Sequence, residues 1–203
     1  MYETTLAGFD DVLGGDHPYT LASRQNLAVA YQAAGRLDEA VRLLEAVLIE
    51  SERLLGLEYP QTVDGRHNLA HAYHASGRVD EAIELYEATL TSRERLLDPD
   101  HPHILSTRNS LAVAYQAGGR IDEAIRLHEA TLRTWERTMG AEHSDALTSG
   151  HNLAAAYEAA GRLDEAIRLY EATLVKCERL FEPDHALIRS VRTKLERIRS
   201  RLK

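Results

Sequence analysis

Three histidines, His67, His71 and His74, are spaced so that a helix would carry them on one face. The i, i+4 pair His67 and His71 could hold Zn²⁺ or Ni²⁺ if a further ligand such as Asp64 or His151 joined it. Asn68 follows His67 where a His-Glu-x-x-His metallopeptidase has its glutamate, so that reaction is not expected. The reading is polar surface histidines with no resident metal and no cofactor. Cys177 is the one cysteine, with no catalytic His-Asp constellation around it, and is expected to be inert. No glycine-rich phosphate loop, EF-hand loop or serine elbow is present, so the chain is expected not to be an enzyme. Four more histidines, His17, His101, His143 and His185, lie apart by multiples of 42 residues. Recurrence makes them architectural, as a cap or a loop lock.

The same spacing organises the whole chain. Asn26–Ala40 returns at Asn68–Ala82, Ser110–Ala124 and Asn152–Ala166, offset by 42 residues each time. A fixed period of this size means stacked repeats. In the first unit, Leu21, Leu27, Ala28, Tyr31 and Ala34 give a helix A over about 19–34. Gly35-Arg36 breaks it. Ala40, Leu44, Val47, Leu48 and Leu55 give a helix B over about 38–55, with Asp38 as its N-cap or first-turn acid. Full units run 18–59, 60–101, 102–143 and 144–185, between a lone helix B at 1–17 and a lone helix A or C-terminal cap at 186–203. Ala28, Ala70, Ala112 and Ala154, with Ala40, Ala82, Ala124 and Ala166, mark helix contacts too close for a larger side chain.

Other recurrent residues follow the same frame. Arg36, Arg78, Arg120 and Arg162 each precede an Asp by two positions and are read as holding helix ends or pairing with nearby acids. Tyr31, Tyr73, Tyr115 and Tyr157 are read as packing residues rather than a stacking platform. Arg24, Arg66 and Arg108 share a slot in which a stem crosses the repeat interface while the head stays wet, or in which they form a basic edge. Trp135 sits in a variable slot, half-buried on a helix B or part of a convex patch.

Charge argues about partners. The chain carries −8, and residues 186–203 hold 7 basic side chains against one acid. Residues 1–185 therefore balance at −14, which speaks against a nucleic-acid groove. One cysteine excludes an internal disulfide framework, and no apolar run approaches 18 residues. A cytoplasmic location without membrane contact is the expectation.

The residues Leu27-Ala28, Tyr31, Gly35, Ala40 and the bulky Leu44 slot resemble the tetratricopeptide repeat. That repeat usually spans about 34 residues. The longer 42-residue form with its Asp-His-Pro loop is similar to the repeats of kinesin light chain and its bacterial relatives. The resemblance implies an all-α, right-handed superhelix whose helices A line a concave groove that binds a peptide segment. Carried onto this chain, groove positions include Gln25, Gln32, His67, His71, His74, Asn109, Gln116, His151 and Glu158. Asn26, Asn68 and Asn152 fall where relatives use paired asparagines to contact peptide backbone, or they bridge neighbouring repeats. The cationic set of carboxylate-clamping relatives is absent, so a C-terminal carboxylate is not the expected ligand.

The two ends suggest a second role. Ile188, Val191, Leu195, Ile198 and Leu202 form one apolar stripe on a basic helix, which either caps the last repeat or packs on another molecule. Tyr2, Leu6 and Phe9 pose the mirror problem at the start. The expected partners are a protein or peptide ligand or a fused domain. The alternative is a self-assembly element that dimerises through Tyr2, Leu6, Phe9, Val191, Leu195, Ile198 and Leu202.

Overall fold

A computed structural model describes residues 12–202. Among the described residues there are nine α-helices after the helical pair Val12-Leu13, and no strand. They are α1 (Pro18–Ala33), α2 (Leu37–Leu55), α3 (Pro60–Ala75), α4 (Val79–Leu96), α5 (Pro102–Ala117), α6 (Ile121–Met139), α7 (Ser144–Ala159), α8 (Leu163–Leu180) and α9 (Ala186–Arg201). The chain divides into two compact units, Met1–Asp98 and Pro99–Lys203. In the first, α1 packs on α2, α2 on α3 and α3 on α4; in the second, α5 to α9 pack successively in the same way. Contacts also join α1 to α3 and α5 to α7, so these helices A lie side by side in one layer of their unit, termed the inner layer.

Each A-to-B hairpin closes by one device. Gly35, Gly77, Gly119 and Gly161 take φ of +75°, +82°, +79° and +74°, a region that costs an L side chain energy. The next residue's N–H then reaches back five residues: Arg36 to the Tyr31 carbonyl at 2.9 Å, with the same bond at Arg78, Arg120 and Arg162. Those arginine heads settle over the same tyrosines' rings, 4.0, 3.9, 4.0 and 4.4 Å from the centroids. Each also clasps the glutamate three residues on, Glu39, Glu81, Glu123 or Glu165. Tyr31, Tyr73 and Tyr157 pack against the core as expected, and all four half-buried tyrosines also carry one of the chain's own arginines on a ring face.

The eight recurrent alanines are 0% exposed, which lets helices A and B approach closely. Ala34, expected inside, is exposed because α1 ends one residue before it. Trp135 is buried against Leu105 and Ala146 and is not part of a surface patch. Cys177 is buried between Leu147 and Ile188, and that burial pushes its thiol pKa up, away from reactivity. Arg66 departs from the expected wet head. Its guanidinium bonds Ser92 Oγ, Glu52 and the Leu57 carbonyl, at 3.3, 3.2 and 3.3 Å, and the residue is buried. A second buried arginine, Arg93, pairs with Asp64 at 2.6 Å.

The loop histidines are N-caps. Nδ1 of His17, His101, His143 and His185 accepts from the backbone N–H two residues on, at 3.2, 3.1, 3.3 and 3.3 Å. His143 also stacks on Trp135 and His185 on Phe181. Tyr59 holds the equivalent position before α3 and makes no side-chain cap. Replacing His101 by Ala should therefore lower stability by about 1 kcal/mol, while His101→Asn should restore most of it. Tyr59→Asp should gain about as much. Urea-unfolding midpoints of the three variants check this.

Candidate functional site

The inner layer of helices A carries the polar ladder. In the first unit, Gln32 Oε1 lies 3.1 Å from His71 Nδ1, bridging α1 and α3. The His67 ring packs edge-on against Tyr86, 5.3 Å between centroids. His74 is partly covered, and its pKa is pushed down by burial and then by neighbouring His71. Asn26 and His71 are exposed, Val29 is 46% exposed, and Asn68 is half-buried. Gln25 is buried: its Nε2 donates to the Gln61 carbonyl at 3.3 Å, and Gly65 leaves the space it fills. A Cβ at Gly65 would come within 2.6 Å of that nitrogen.

In the second unit the ladder is stitched more completely. Asn152 Nδ2 donates to Asn109 Oδ1 at 3.0 Å, and Gln116 Nε2 reaches the Ala155 carbonyl at 3.5 Å. His151 Nε2 lies 3.4 Å from Ser190 Oγ, and its ring lies against Tyr170. Glu158 is held by α9: Arg197 at 2.5 Å, Lys194 at 3.7 Å and Arg201 at 4.0 Å. That carboxylate, expected to face a ligand, faces the last helix. Within each unit the structure brings that unit's predicted groove residues together and joins several of them to each other.

Among the described residues no three His, Cys, Asp or Glu converge as a metal site requires. His71 Nδ1 bonds Gln32, and the His67 ring packs edge-on against Tyr86. No described helix is long and apolar enough to cross a membrane.

The predicted self-association residues divide. Val191, Leu195 and Ile198 are buried with Ala154, Ala166 and Tyr170, so their own chain covers them and they are not available to a second one. Leu202 is 57% exposed. Tyr2, Leu6 and Phe9, and most of the lone helix expected at 1–17, lie outside the described residues. The exposed face of α9 is basic and polar.

The model of the tetratricopeptide repeat matches residues 1–48, 61–137, 103–174 and 145–203. The chain belongs to the tetratricopeptide-repeat family. Its fold is the all-α repeat solenoid of that family. Among solved structures it is similar to the nearly identical TPR-like repeats assigned to a kinesin light chain of Podosopora anserina. A single-substitution variant of those repeats aligns with a TM-score of 0.77 at 38% identity over 88% of this chain and 84% of that one. The unsubstituted repeats align at 0.75 and 38%, over 89% and 86%. BtubC (BKLC) from P. vanneervenii shares the fold, with a TM-score of 0.73 over 99% and 92% of the chains at 18% identity. No curated protein matches. A tetratricopeptide-repeat scaffold typically serves protein–protein interaction and typically carries no catalytic activity.

One buried residue was missed as a site of interest. His128 occupies the slot of Leu44, Tyr86 and Tyr170, is 0% exposed, and neither ring nitrogen has a partner. Its position marks it as core, but nothing in the sequence says that the ring is left unsatisfied. Burial pushes its pKa down to about 4. The unfolded chain takes up a proton near pH 6.5 that the folded chain refuses until about pH 4. Stability present above that window is therefore lost as pH falls through it. His74 and His151 act in the same direction. His128→Tyr should flatten the decline by on the order of 3 kcal/mol between neutral pH and pH 4. Urea titrations of both proteins across that range measure it. Glu158→Gln should release α9, read as faster amide exchange in residues 186–201 and little change in α5.

Proposed function

We propose that this protein binds a peptide segment of a partner protein along the inner layer of its helices A. One observation carries the reading: the polar residues of successive helices A share a face and bond across it, while Asn26, Val29 and His71 remain open to solvent. Interaction scaffolds of this family give the general context. Rigid helices hold these side chains before a ligand arrives, so less order has to be imposed on binding. Asn68, Asn26 and the half-buried pair Asn109 and Asn152 offer amides that both donate to and accept from a peptide backbone. The function is binding without chemistry, and the partner is a protein or a peptide.

A scanning peptide array probed with the whole chain tests this. Peptides that bind the parent should lose about tenfold in affinity on the double replacement Asn68→Ala with His71→Ala, or Asn109→Ala with Asn152→Ala. Binding that survives both replacements unchanged, in proteins with parental circular dichroism, would remove the groove as the site.

A further inference from the structure

Tyr19 and Tyr59 stand at the starts of α1 and α3 and are 67% and 47% exposed. Tyrosine usually buries its ring and leaves only the hydroxyl wet, so two open rings on adjacent repeats need a reason. With the first-turn prolines Pro18 and Pro60 they wall an open cleft of about 670 Å³. The polar groups of the cleft include Gln25, Gln61 and Asp64. Gln25 Nε2 donates to the Gln61 carbonyl, and Gln61 Nε2 donates to the Pro18 carbonyl at 2.9 Å. Each amide nitrogen has thus placed one of its two N–H donors, while the Gln25 and Gln61 side-chain oxygens and the Asp64 carboxylate supply acceptors to the cleft. The Asp64 side chain pairs with Arg93 and stays 48% exposed.

The kind of ligand follows from two facts. First, this chain stacks an arginine over a tyrosine four times, at 3.9 to 4.4 Å, yet among the described residues no arginine or lysine lies over Tyr19 or Tyr59. The capping His17 ring is tilted beside Tyr19, 5.4 Å between centroids, and leaves the tyrosine two-thirds exposed. Second, residues 1–98 hold 17 acidic and 8 basic side chains, so the unit around the cleft is strongly negative. Two open aromatic rings, oxygen acceptors and a negative surround suit a guanidinium, which is planar, donates in several directions and stacks on rings. A carboxylate or phosphate would meet acceptors and like charge instead.

We infer that the Tyr19–Tyr59 cleft receives an arginine side chain from a basic partner segment. The inference rests on the groove reading above, because Gln25 belongs to both surfaces. The arginine enters between the tyrosines, and the rest of its segment continues along the inner layer past Val29 and His71.

Fluorescence anisotropy with the full chain tests this, using a labelled Gly/Ser peptide that bears two arginines. Matched peptides carry lysine, glutamate or proline at the arginine positions. The arginine peptide should bind best and weaken with added salt, and the glutamate peptide should not bind. Tyr19→Leu and Tyr59→Leu keep bulk and remove the aromatic face, so each should weaken binding about fivefold. If the tyrosine variants bind like the parent while Asn68→Ala with His71→Ala weakens binding, the cleft assignment is overturned and the groove reading stands. If neither set changes affinity, both readings fall; if the arginine peptide does not bind, the cleft assignment is overturned and the groove reading is decided by the peptide array. Equal binding of the proline or lysine peptide, lost in the tyrosine variants, would overturn arginine as the occupant.

Discussion

A glycine at positive φ, a tyrosine carbonyl and an arginine close every A-to-B hairpin of this chain. The glycine turns the backbone, the arginine N–H takes the tyrosine's orphan carbonyl, and the guanidinium lies between that tyrosine's ring and a glutamate of the next helix. Three interactions thus fix one angle. The salt bridge alone is exposed and worth little; together with the Schellman bond and the ring it leaves the helix pair few other geometries. Everything inward of the hairpin depends on this angle, because the alanines meet without gaps only when A and B cross as they do.

Once the hairpins are set, stacking needs only registration. A second ladder supplies it at the loop edge: Arg53 with Asp16, Arg95 with Glu58, Arg137 with Asp100 and Arg179 with Glu142, each pair 37 residues apart. These pairs are exposed and individually weak. Their regularity matters more than their strength, because a shifted register would mismatch them together. The inner layer adds its own bridges at Gln32–His71 and Asn109–Asn152, so residues available for recognition also hold neighbouring repeats together. Such residues can be replaced by a ligand's groups only where the repeat contact is open, and that is most nearly so around Asn26, Val29 and His71.

At the end of the second unit, α9 turns its apolar stripe to its own chain and its arginines to Glu158, Glu171 and Glu178. A basic helix on an acidic body looks like a sticky end in sequence. Folded, its charges are answered within the chain, and its exposed face is basic and polar.

The 42-residue period, the glycine and proline punctuation and the two helical stripes per repeat were enough to place nearly every helix to within a residue or two. The alanine contacts and the capping role of the loop histidines were also legible, because each is a local requirement that must recur wherever the local geometry recurs. The Tyr–Arg stack was visible as two recurring spacings within the chain but not as one object, since nothing linear shows that a five-residue step folds back on itself. Sequence could not say that Arg66 and Arg93 are buried, that Glu158 belongs to α9, or that His128 lies unpartnered in the core. Those outcomes are set by which side chains of another helix arrive beside each residue, and that is decided only when repeats with different variable positions are packed against each other. The repeated frame is a property of the chain; the environment of every residue outside the frame is a property of its neighbours.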